Sequence, residues 1–400
     1  MRKLLIVFCI FMLSYGNVFS RSTEKLSQLT RSDENLFSEN VAKISLLTCS
    51  SGDQLYSSFG HTGIRVKYCD GADVVYNFGV FDFETPNFYI KFIRGKLQYM
   101  LEVGKTCDFI DVYEIENRTI CEQKLVLTET QAAAIIDRLN YLYRPENRYY
   151  SYSSLYKNCT TEPRNIIFEN LGIDTSSLNA KTDESYRELL NCSLTGWSRW
   201  GVNLILGSSC DKKVTVFQSM FLPAKLHDGL ENIDKSQKII LKRAFLSESS
   251  IIKSTRNPIP PFIYSPCLVF GLLFLLFLFF AYWGGLPYWG QVLHFLIGLL
   301  GLVVALISLF TEHTELHNNY NLLWCNPLFL LLALASVFKW EKIRKIVFYF
   351  LLVMLIVTPF IWLFGVQDAE LSFVFIVCTL VVSLVQTKMK PRSRPVVYFY

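Results

Sequence analysis

The stretch SFGHTGIRVKYCDGADVVYNFGV (58–80) alternates polar and apolar residues on either side of a turn signal. A period of two is typical of a strand with one buried face. The Asp-Gly pair at 70–71 favours a hairpin between two such strands. His61 lies on the less apolar face of the first strand, opposite the face that carries Ile64 and Val66. The stretch therefore predicts an antiparallel hairpin that displays a histidine.

Asn77 lies on the less apolar face of the second strand, and its position relative to His61 depends on the turn. A two-residue turn at Asp70-Gly71 would place the two side chains on opposite faces, because side chains alternate along a strand. An odd-numbered loop or a bulge would place them on the same face. The sequence leaves both arrangements open.

A second stretch, KNCTTEPRNIIFENLG (157–172), contains a cysteine just before a predicted helix, in which apolar residues recur at helical spacing until Gly172. Cys159 therefore lies where unpaired N–H groups and the positive end of the helix dipole favour a thiolate and can hold an oxyanion. A neutral His61 within reach would accept and return a proton. The alternatives are a buried or disulfide-bonded cysteine that is inert, and a structural histidine.

The remaining sequence before residue 254 mixes predicted helices and strands. A short helix is expected from Thr85-Pro86, and strands are expected at Leu97–Val103 and Phe109–Ile115. The sequence Thr-Glu-Thr-Gln at 128–131 is a capping box, which predicts a helix to about Tyr143. Together these elements predict an α+β domain.

Two aromatic clusters follow this helix, one at 149–152 and one formed by Trp197 and Trp200. Aromatic rings with a polar tip suit the surface of a membrane. A plain core position suits them equally well, and both interpretations stay open.

The chain begins with the features of a secretory signal peptide. Arg2 and Lys3 precede an apolar run from Leu4 to Leu13, and small residues lead to Ser20, after which we expect cleavage. A polar and then proline-rich segment separates a soluble-looking sequence from a mostly apolar one. We expect a signal peptide at 1–20, an exported domain at 21–253, a linker at 254–261, a membrane domain at 262–386 and a cytoplasmic tail at 387–400.

The apolar part predicts an all-α transmembrane bundle of about five helices. Its apolar segments lie near 262–283, 289–310, 327–339, 346–364 and 371–386, and the third and the last are short. Basic residues cluster from Lys339 to Lys345 and from Lys388 to Arg394. Because such residues concentrate on the cytoplasmic side, the exported domain and the loop at 311–327 should lie together on the opposite side.

The loop TEHTELHNNYNLLWCNP (311–327) contains His313 and His317. Either the histidines contact a lipid head group or help to close the active site, or the loop is solvated and Trp324 anchors it at the interface. The two histidines have the spacing of a metal site if the loop is helical, but no Glu follows the first one directly. We expect neither a metal nor a cofactor.

The segment SSGDQLY (50–56) leads directly into the histidine strand. Ser51, Asp53 and Tyr56 are therefore candidates for the same pocket, and Asp53 is a candidate to orient the histidine. Asn158 is a further pocket candidate because it adjoins the cysteine. Ordinary loop chemistry explains the Ser-Gly-Asp segment equally well.

Composition excludes some functions. The net charge of +5 is spread along the chain without a basic stripe, so nucleic acid is not an expected partner. The exported domain has an odd number of cysteines, so at least one stays free where disulfides can persist. These are Cys49, Cys69, Cys107, Cys121, Cys159, Cys192 and Cys210. The Cys-x-x-Cys pattern of structural zinc sites does not occur.

The chain resembles the Lnb-like family of Bacteroidetes membrane proteins in both halves. The resembling segments are Leu47–Asp53, Tyr56, Phe59–Thr62, Ile64–Val66, Tyr76–Phe83, Pro86–Tyr89, Asn158–Thr160, Phe221–Pro223 and Asn321–Pro327. A resemblance that spans both halves is more specific than either the histidine or the cysteine segment alone.

The resemblance implies lipoprotein N-acyl transfer, in which an acyl chain moves from a phospholipid to the free α-amino group of a diacylglyceryl-cysteine lipoprotein. It also implies a permuted papain-like fold, similar to NlpC/P60 and lecithin:retinol acyltransferase domains, in which the histidine strand precedes the cysteine helix. The order His61 then Cys159 agrees with this, and the third polar residue of such folds falls near Asn77. The implied location is the bacterial inner membrane, with the catalytic domain in the periplasm.

The expected mechanism has two half-reactions. The Cys159 thiolate attacks a phospholipid ester while His61 protonates the leaving lysophospholipid, and the lipoprotein amine then attacks the thioester with His61 as base. One alternative is a papain-like cell-wall peptidase or amidase that uses water as the acceptor. Another is a non-enzymatic membrane assembly component, which should tolerate the replacement of Cys159.

Overall fold

The computed structural model describes residues 41–248, 264–283 and 287–388. The predicted signal peptide at 1–20, the linker at 254–261 and all but the first residues of the predicted tail lie outside the described residues. The described chain forms an N-terminal α+β region and a C-terminal helical region. This confirms the predicted class of the first region and the helical character of the second.

A seven-stranded antiparallel sheet forms the centre of the N-terminal region, with the spatial order β6-β4-β3-β2-β1-β5-β9. Its strands are β1 Val41–Cys49, β2 His61–Tyr68, β3 Asp73–Val80, β4 Gln98–Lys105, β5 Ile120–Leu125, β6 Tyr149–Ser151 and β9 Ile240–Ser247. A separate pair consists of β7 (Lys181–Ser185) and β8 (Lys213–Thr215). Strand β2, which begins at His61, is the central strand of the large sheet.

Helices cover both faces of the large sheet. They are α1 Phe88–Ile93, α2 Thr106–Ile115, α3 Glu129–Tyr143, α4 Thr161–Leu171, α5 Tyr186–Asn191, α6 Gly196–Ile205, α7 Val216–Ser219 and α8 Pro223–Gln237, with 3-10 turns at Leu55–Ser57, Ser176–Asn179 and Ser208–Asp211. Residues of α3, α4 and α8 pack on the face that carries Ile64 and Val66. Phe109 and Tyr113 of α2 pack on the opposite face, against Val75.

Most predicted elements occur near their expected positions. The helix with the capping box runs from Glu129 to Tyr143, and the predicted short helix begins at Phe88 rather than at Thr85. The strand predicted at Phe109–Ile115 is wrong, because these residues belong to α2. Phe109 and Tyr113 are four residues apart, so one side of a helix carries both to the sheet. A short apolar run is compatible with the period of a strand and with that of a helix, and here packing against the sheet favours the helix.

The C-terminal region contains the apolar helices α9 Pro266–Tyr282, α10 Pro287–Phe310, α11 Leu328–Val337, α12 Glu341–Leu363 and α13 Leu371–Lys388, and 3-10 turns at Thr314–Leu316 and Tyr320–Leu323. Three segments are long and apolar enough to cross a membrane: Tyr288–Phe310, Thr314–Val337 and Glu341–Leu363. Pro266–Tyr282 and Leu371–Gln386 are apolar but shorter. Three candidate spans are therefore established, and a bundle of five spans stays a prediction.

The loop between α10 and α11 lies against the N-terminal region. Asn321 donates its Nδ2–H to the carbonyl oxygens of Asn203 (3.0 Å) and Leu204 (3.1 Å), and Asn319 donates to Leu204 at 2.8 Å. Trp324, predicted to anchor a solvated loop at the interface, is fully buried. The solvated-loop interpretation is wrong because these bonds hold the loop against α6.

Helix α6 also contacts the apolar helices of the C-terminal region. The ring of Trp200 stacks on Phe270 of α9 with centroids 5.5 Å apart. Trp197 donates its Nε1–H to the carbonyl oxygen of Tyr264 at 2.8 Å. Arg199 donates to Glu370 Oε1, also at 2.8 Å, just before α13. This tryptophan cluster therefore packs on the apolar helices, with Trp200 partly buried against them and Trp197 exposed.

The cysteines form no disulfide within the described residues, where all ten of them are free. The predicted minimum of one free cysteine is thus confirmed. Cys159 and Cys121 are both partly buried thiols, so their surroundings can be compared directly.

Candidate active site

The β2–β3 hairpin brings His61 and Asn77 to one face of the sheet. Tyr68 donates its N–H to the oxygen of Ala72 (2.8 Å) and Gly71 donates to Tyr68 (3.2 Å), so the loop has three residues rather than two. Gly71 has a φ of +97°, the left-handed conformation that the last residue of such a loop requires. The strand register then places Asn77 on the face of His61. His61 donates its Nε2–H to Asn77 Oδ1 at 2.5 Å.

Cys159 lies immediately before α4, as the sequence predicts. The side chain of Asn158 caps this helix, because its Oδ1 accepts from the N–H groups of Thr160 (2.8 Å) and Thr161 (2.9 Å). These two N–H groups are therefore occupied and do not hold an oxyanion, contrary to the sequence-based expectation. Within the described part of the chain, the N–H of Cys159 itself makes no hydrogen bond.

Phe221 and Pro223, around the start of α8, contact the residues directly before Cys159 and His61. Asn158 Nδ2 donates to the carbonyl oxygen of Phe221 at 3.1 Å, so Asn158 is a buried brace rather than an open pocket residue. Pro223 lies against Gly60, where an added Cβ would lie 2.6 Å from the carbonyl oxygen of Cys49. Gly60 also has a φ of +82°. Only glycine fits this close approach just before β2.

Gly79 allows the thiol to approach the sheet. An added Cβ at Gly79 would lie 3.3 Å from Cβ of Cys159 and 3.4 Å from the ring of Tyr152. The residue has a φ of +85°, and the register of β3 with β4 shifts between Asn77 and Val80. Such irregularities are common beside functional sites, where they aim a side chain. The missing side chain of Gly79 makes room for Cys159.

The electrostatic surroundings favour charge separation between the thiol and the imidazole. Burial alone would raise the pKa of Cys159, but the charge of His61 and its hydrogen bond to the thiol, with the Thr160 hydroxyl and the Thr62 N–H, bring that pKa below its ordinary value. Burial alone would lower the pKa of His61, but Cys159 and then Asn77 bring it above its ordinary value. Both pKa shifts are therefore in the direction of a thiolate and imidazolium pair.

Tyr152 is a site residue that the sequence analysis did not identify. Its ring stacks on Tyr99 with centroids 4.2 Å apart, and its hydroxyl bonds to the Cys159 sulfur. Burial and then the charge of Cys159 raise the pKa of Tyr152 well above its ordinary value, so the hydroxyl keeps its proton. A protonated hydroxyl there can donate to an oxyanion. Only the pairing of β6 with β4 brings this ring to the site.

The loop before β2 contributes less than the sequence suggests. Asp53 is exposed, and it forms no hydrogen bond or ion pair with any described residue. Asn77, not Asp53, is the partner of His61 Nε2. Ser51 is partly buried in the same loop and likewise makes no bond to the imidazole.

Tyr56 lies beside Glu116 and Arg118. Its side chain is half-exposed. Burial and then the charge of Glu116 raise the pKa of Tyr56 to about 12, while Arg118 opposes this effect. Arg118 also lowers the pKa of His61, so Tyr56 shares one charged neighbour with the imidazole.

The C-terminal region contributes one histidine to the surroundings of the thiol. A narrow crevice is lined by Phe92, Gly95, Leu97, Tyr99, Tyr152 and His313. His313 Nε2 donates to the carbonyl oxygen of Phe92 at 3.1 Å. His317 Nε2 bonds instead to Thr311 of its own loop at 3.0 Å. The structure therefore brings His313, but not His317, next to Tyr152.

A second thiol and imidazole pair shows that proximity alone does not activate a cysteine. Cys121 Sγ lies 3.4 Å from His227 Nε2. Burial and then the charge of Glu231 raise the pKa of Cys121, opposite to the shift at Cys159. Cys121 also lies within β5 rather than at the start of a helix. It is therefore a natural control for Cys159.

A larger cavity of about 450 Å³ lies elsewhere, beside Arg65, Asp73 and Thr106. Two of its charged groups already pair: Arg65 bonds to Asp73 at 2.5 Å, and it also bonds to Glu122 at 2.9 Å. Neither His61 nor Cys159 lines this cavity. We assign it no part in the site.

Two family models match the chain. The model described as the Lnb N-terminal periplasmic domain matches residues 34–191, which include His61, Asn77 and Cys159. The model described as the Lnb transmembrane domain matches residues 258–390. The chain belongs to the Lnb-like family. Neither a curated protein nor a solved structure matches it.

Membership of the Lnb-like family makes the protein membrane-associated, with a periplasmic N-terminal part and a transmembrane domain. This combination supports a location in the inner membrane. The thiol and the imidazole lie in the periplasmic part, whereas His313 comes from the transmembrane domain. Both domains of this Lnb-like protein therefore line the crevice that contains Tyr152.

Proposed function

We propose that this Lnb-like protein is a lipoprotein N-acyltransferase. It moves an acyl chain from a phospholipid, through a thioester on Cys159, to the α-amino group of a diacylglyceryl-cysteine lipoprotein. The observation that carries the proposal is the arrangement of Cys159, His61 and Asn77 beside Tyr152, which lines one crevice with His313 of the transmembrane domain. A nucleophile at that position faces lipid substrates more directly than soluble ones.

The first half-reaction transfers the acyl group to the enzyme. The Cys159 thiolate attacks the carbonyl carbon of the phospholipid ester, and the bond between that carbon and the glycerol oxygen breaks. The His61 imidazolium gives its Nδ1 proton to the leaving oxygen, because Nε2 is held by Asn77. The products are a Cys159 thioester, a neutral His61 and a lysophospholipid.

The second half-reaction transfers the acyl group to the lipoprotein. The free α-amino group attacks the thioester carbonyl, and neutral His61 accepts the proton that the amine loses. The carbon–sulfur bond breaks, an amide forms, and the thiolate and imidazolium are restored. Thioesters react readily with amines, and a crevice shielded from solvent limits the competing attack by water.

Two groups are positioned to hold the oxyanion of both half-reactions. The first is the N–H of Cys159, because Asn158 occupies the next two N–H groups of the helix. The second is the Tyr152 hydroxyl, which stays protonated beside the sulfur. Fixed donors aimed at developing charge are among the largest contributions to catalysis. This pair replaces the helix N–H groups expected from the sequence.

The proposal includes a fold and a topology. The periplasmic domain (21–253) is a permuted papain-like domain, since a histidine strand precedes a cysteine helix in the chain. It follows a signal peptide (1–20) and leads through a linker (254–261) into five spans (262–386) and a cytoplasmic tail (387–400). The contacts of the 311–327 loop and of Glu370 with α6 support this topology, because a chain of five spans would bring these two loops to the side of the exported domain.

The test is to trap the thioester. The purified full-length protein is incubated with phospholipid vesicles, and the peptide that contains Cys159 is weighed by mass spectrometry. We expect an acyl mass that neutral hydroxylamine removes, that is absent from Cys159→Ala and that persists in the matched Cys121→Ala control. A protein whose Cys159 still reacts with iodoacetamide but never gains an acyl group would contradict the proposal. Acylation followed by release of free fatty acid, whether or not an amine is present, would indicate a hydrolase instead.

A further inference from the structure

Helix α1 presents an unusual cluster of exposed apolar side chains. None of its residues is buried, and the exposed fractions are 53% for Tyr89, 59% for Ile90, 47% for Phe92 and 47% for Ile93. Grouped apolar side chains on a protein surface mark contact with a lipid or with another protein. The surroundings of α1 should therefore indicate whether a lipid or another protein covers it.

The position of α1 points to the membrane. Thr311 donates its hydroxyl to the oxygen of Ile93 at 2.9 Å, and Glu312 donates its N–H to the oxygen of Arg94 at 2.9 Å. Thr311 directly follows the candidate span Tyr288–Phe310. A helix bonded to the first residues after a span lies at the surface of the bilayer that the span crosses.

The charges near α1 also suit a lipid surface. Lys91 and Arg94 form no ion pair within the described residues, so both cations are free to meet phosphate groups. Lys96 pairs with Glu312 at 3.2 Å. Exposed Asp82 and Glu84 lie farther back, in the loop before the helix. An apolar face flanked by basic residues is the pattern of a segment that lies in the interface of a membrane.

A continuous series of rings joins α1 to the candidate active site. Phe88 lies 5.8 Å from Phe81 between ring centroids, and Phe81 lies 5.2 Å from Tyr99. Tyr99 stacks on Tyr152 at 4.2 Å, and the Tyr152 hydroxyl meets the sulfur of Cys159. The crevice along these rings is narrow, so an occupant must displace side chains to pass. Aromatic and aliphatic walls are suited to a hydrocarbon chain.

We propose that α1 inserts into the membrane surface as the lipid-access element, and that one acyl chain of a membrane phospholipid reaches Cys159 along the Phe88–Phe81–Tyr99–Tyr152 rings. The role of that lipid as acyl donor rests on the proposed function, whereas its contact with α1 does not. The ester carbonyl lies at the thiolate while that chain extends back along the rings towards α1, and Lys91 and Arg94 meet the phosphate groups of the surrounding lipids. Serving as a lipid-access surface explains why α1 has no buried residue.

The first test uses the full-length protein in nanodiscs of phosphatidylethanolamine and phosphatidylglycerol. The double variant Ile90→Glu with Ile93→Glu is compared with Ile115→Glu, at the 85% exposed end of α2, which packs on the sheet. We expect the double variant to form the Cys159 thioester at least roughly tenfold more slowly, because charged side chains resist burial in lipid. Iodoacetamide should label its Cys159 at the wild-type rate, and the control should match wild type in both assays. Wild-type acylation by the double variant would overturn the proposal.

The second test does not depend on turnover. The Cys159→Ala protein is placed in the same nanodiscs with a phospholipid that carries a photoactivatable diazirine midway along one acyl chain. We expect crosslinks in the peptide around 86–95, and their loss in the double variant. A Cys159→Ala protein with an unchanged α1 that never gains a crosslink in this peptide would overturn the lipid-access role. Labelling of the peptide without any thioester in the active protein would retain α1 as the lipid contact and reject the acyltransferase function alone.

Discussion

His61 donates its Nε2–H to Oδ1 of Asn77 across 2.5 Å. An amide oxygen only accepts, so this bond fixes the imidazole proton on Nε2 and directs Nδ1 to the thiol. The bond exists because the hairpin loop has three residues, which gives the two side chains a common face. The length of a turn therefore decides the orientation of the candidate base.

Replacing Asn77 by Ala should narrow the range of pH in which the pair is charged. Asn77 raises the pKa of His61, so its loss lowers that pKa and moves the alkaline limb of activity to lower pH. A less stable imidazolium also raises the pKa of Cys159 and moves the acid limb to higher pH. Acyl transfer at the optimum should fall about 10- to 100-fold, since a hydrogen bond to a charged group contributes about 1.5–3 kcal/mol. A rate profile measured across pH checks this, and an unchanged alkaline limb would argue against the pairing.

The two partly buried thiols should differ in their alkylation by iodoacetamide as a function of pH. Only a thiolate reacts, so Cys159, with its lowered pKa, should react at lower pH than Cys121, whose pKa is raised. His61→Ala should move the Cys159 curve to higher pH, because burial then raises the pKa of Cys159 without the opposing charge of His61. Mass spectrometry of both peptides from one sample gives both curves. Coincident curves in the wild type would contradict the electrostatic account.

Replacing Gly79 by Ala should impair the site as well as the fold. The residue has a φ of +85°, and its new Cβ would press on Cys159 and Tyr152. Gly71→Ala is the matched control, because its φ is +97° but no atom lies within 4 Å of the added Cβ. Both variants should lose about 1–2 kcal/mol of stability from backbone strain, measured as a lower Tm. Only Gly79→Ala should also slow iodoacetamide labelling of Cys159, and equal labelling in the two variants would count against the close approach.

Asn158 should be more important for the position of the thiol than for binding. Asn158→Ala leaves the buried N–H groups of Thr160 and Thr161 without their acceptor and should destabilise the protein by about 2–4 kcal/mol. Asn158→Ser keeps a capping acceptor and places no carboxylate against the carbonyl oxygens of Ser154 and Phe221, to which Nδ2 donates in the wild type, so it should cost less than Asn158→Ala. Thermal unfolding of the two variants in detergent distinguishes them. A Ser variant as unstable as the Ala variant would contradict the capping role.

The sequence predicts the local structure around each residue of this site better than it predicts which residues come into contact. Cys159 before a helix and His61 on a strand follow from local patterns, because a helix start and strand alternation involve neighbouring residues. Asn77 stayed ambiguous because its face depends on whether Gly71 takes a left-handed conformation. That choice is made by bonds across the hairpin, which no pattern along one strand encodes.

Long-range packing accounts for the predictions that failed. Phe109–Ile115 is a helix because Phe109 and Tyr113 pack together on the sheet. Trp324 is buried because its ring packs among the C-terminal helices, 5.1 Å from the ring of Phe373, and beside Leu204 of α6. Tyr152 meets the thiol only through the pairing of short strand β6 with β4. Each of these outcomes depends on residues far away in the chain.

The central claim is that this protein acylates lipoproteins, and the N-terminus of a lipoprotein tests it most directly. In cells that lack their own lipoprotein N-acyltransferase, the N-terminal peptide is weighed after complementation with wild type, Cys159→Ala or Cys121→Ala. We expect one added amide-linked acyl chain with wild type and Cys121→Ala, and none with Cys159→Ala. A well-expressed wild-type protein that adds no acyl chain, or a Cys159→Ala protein that adds one, would contradict the account.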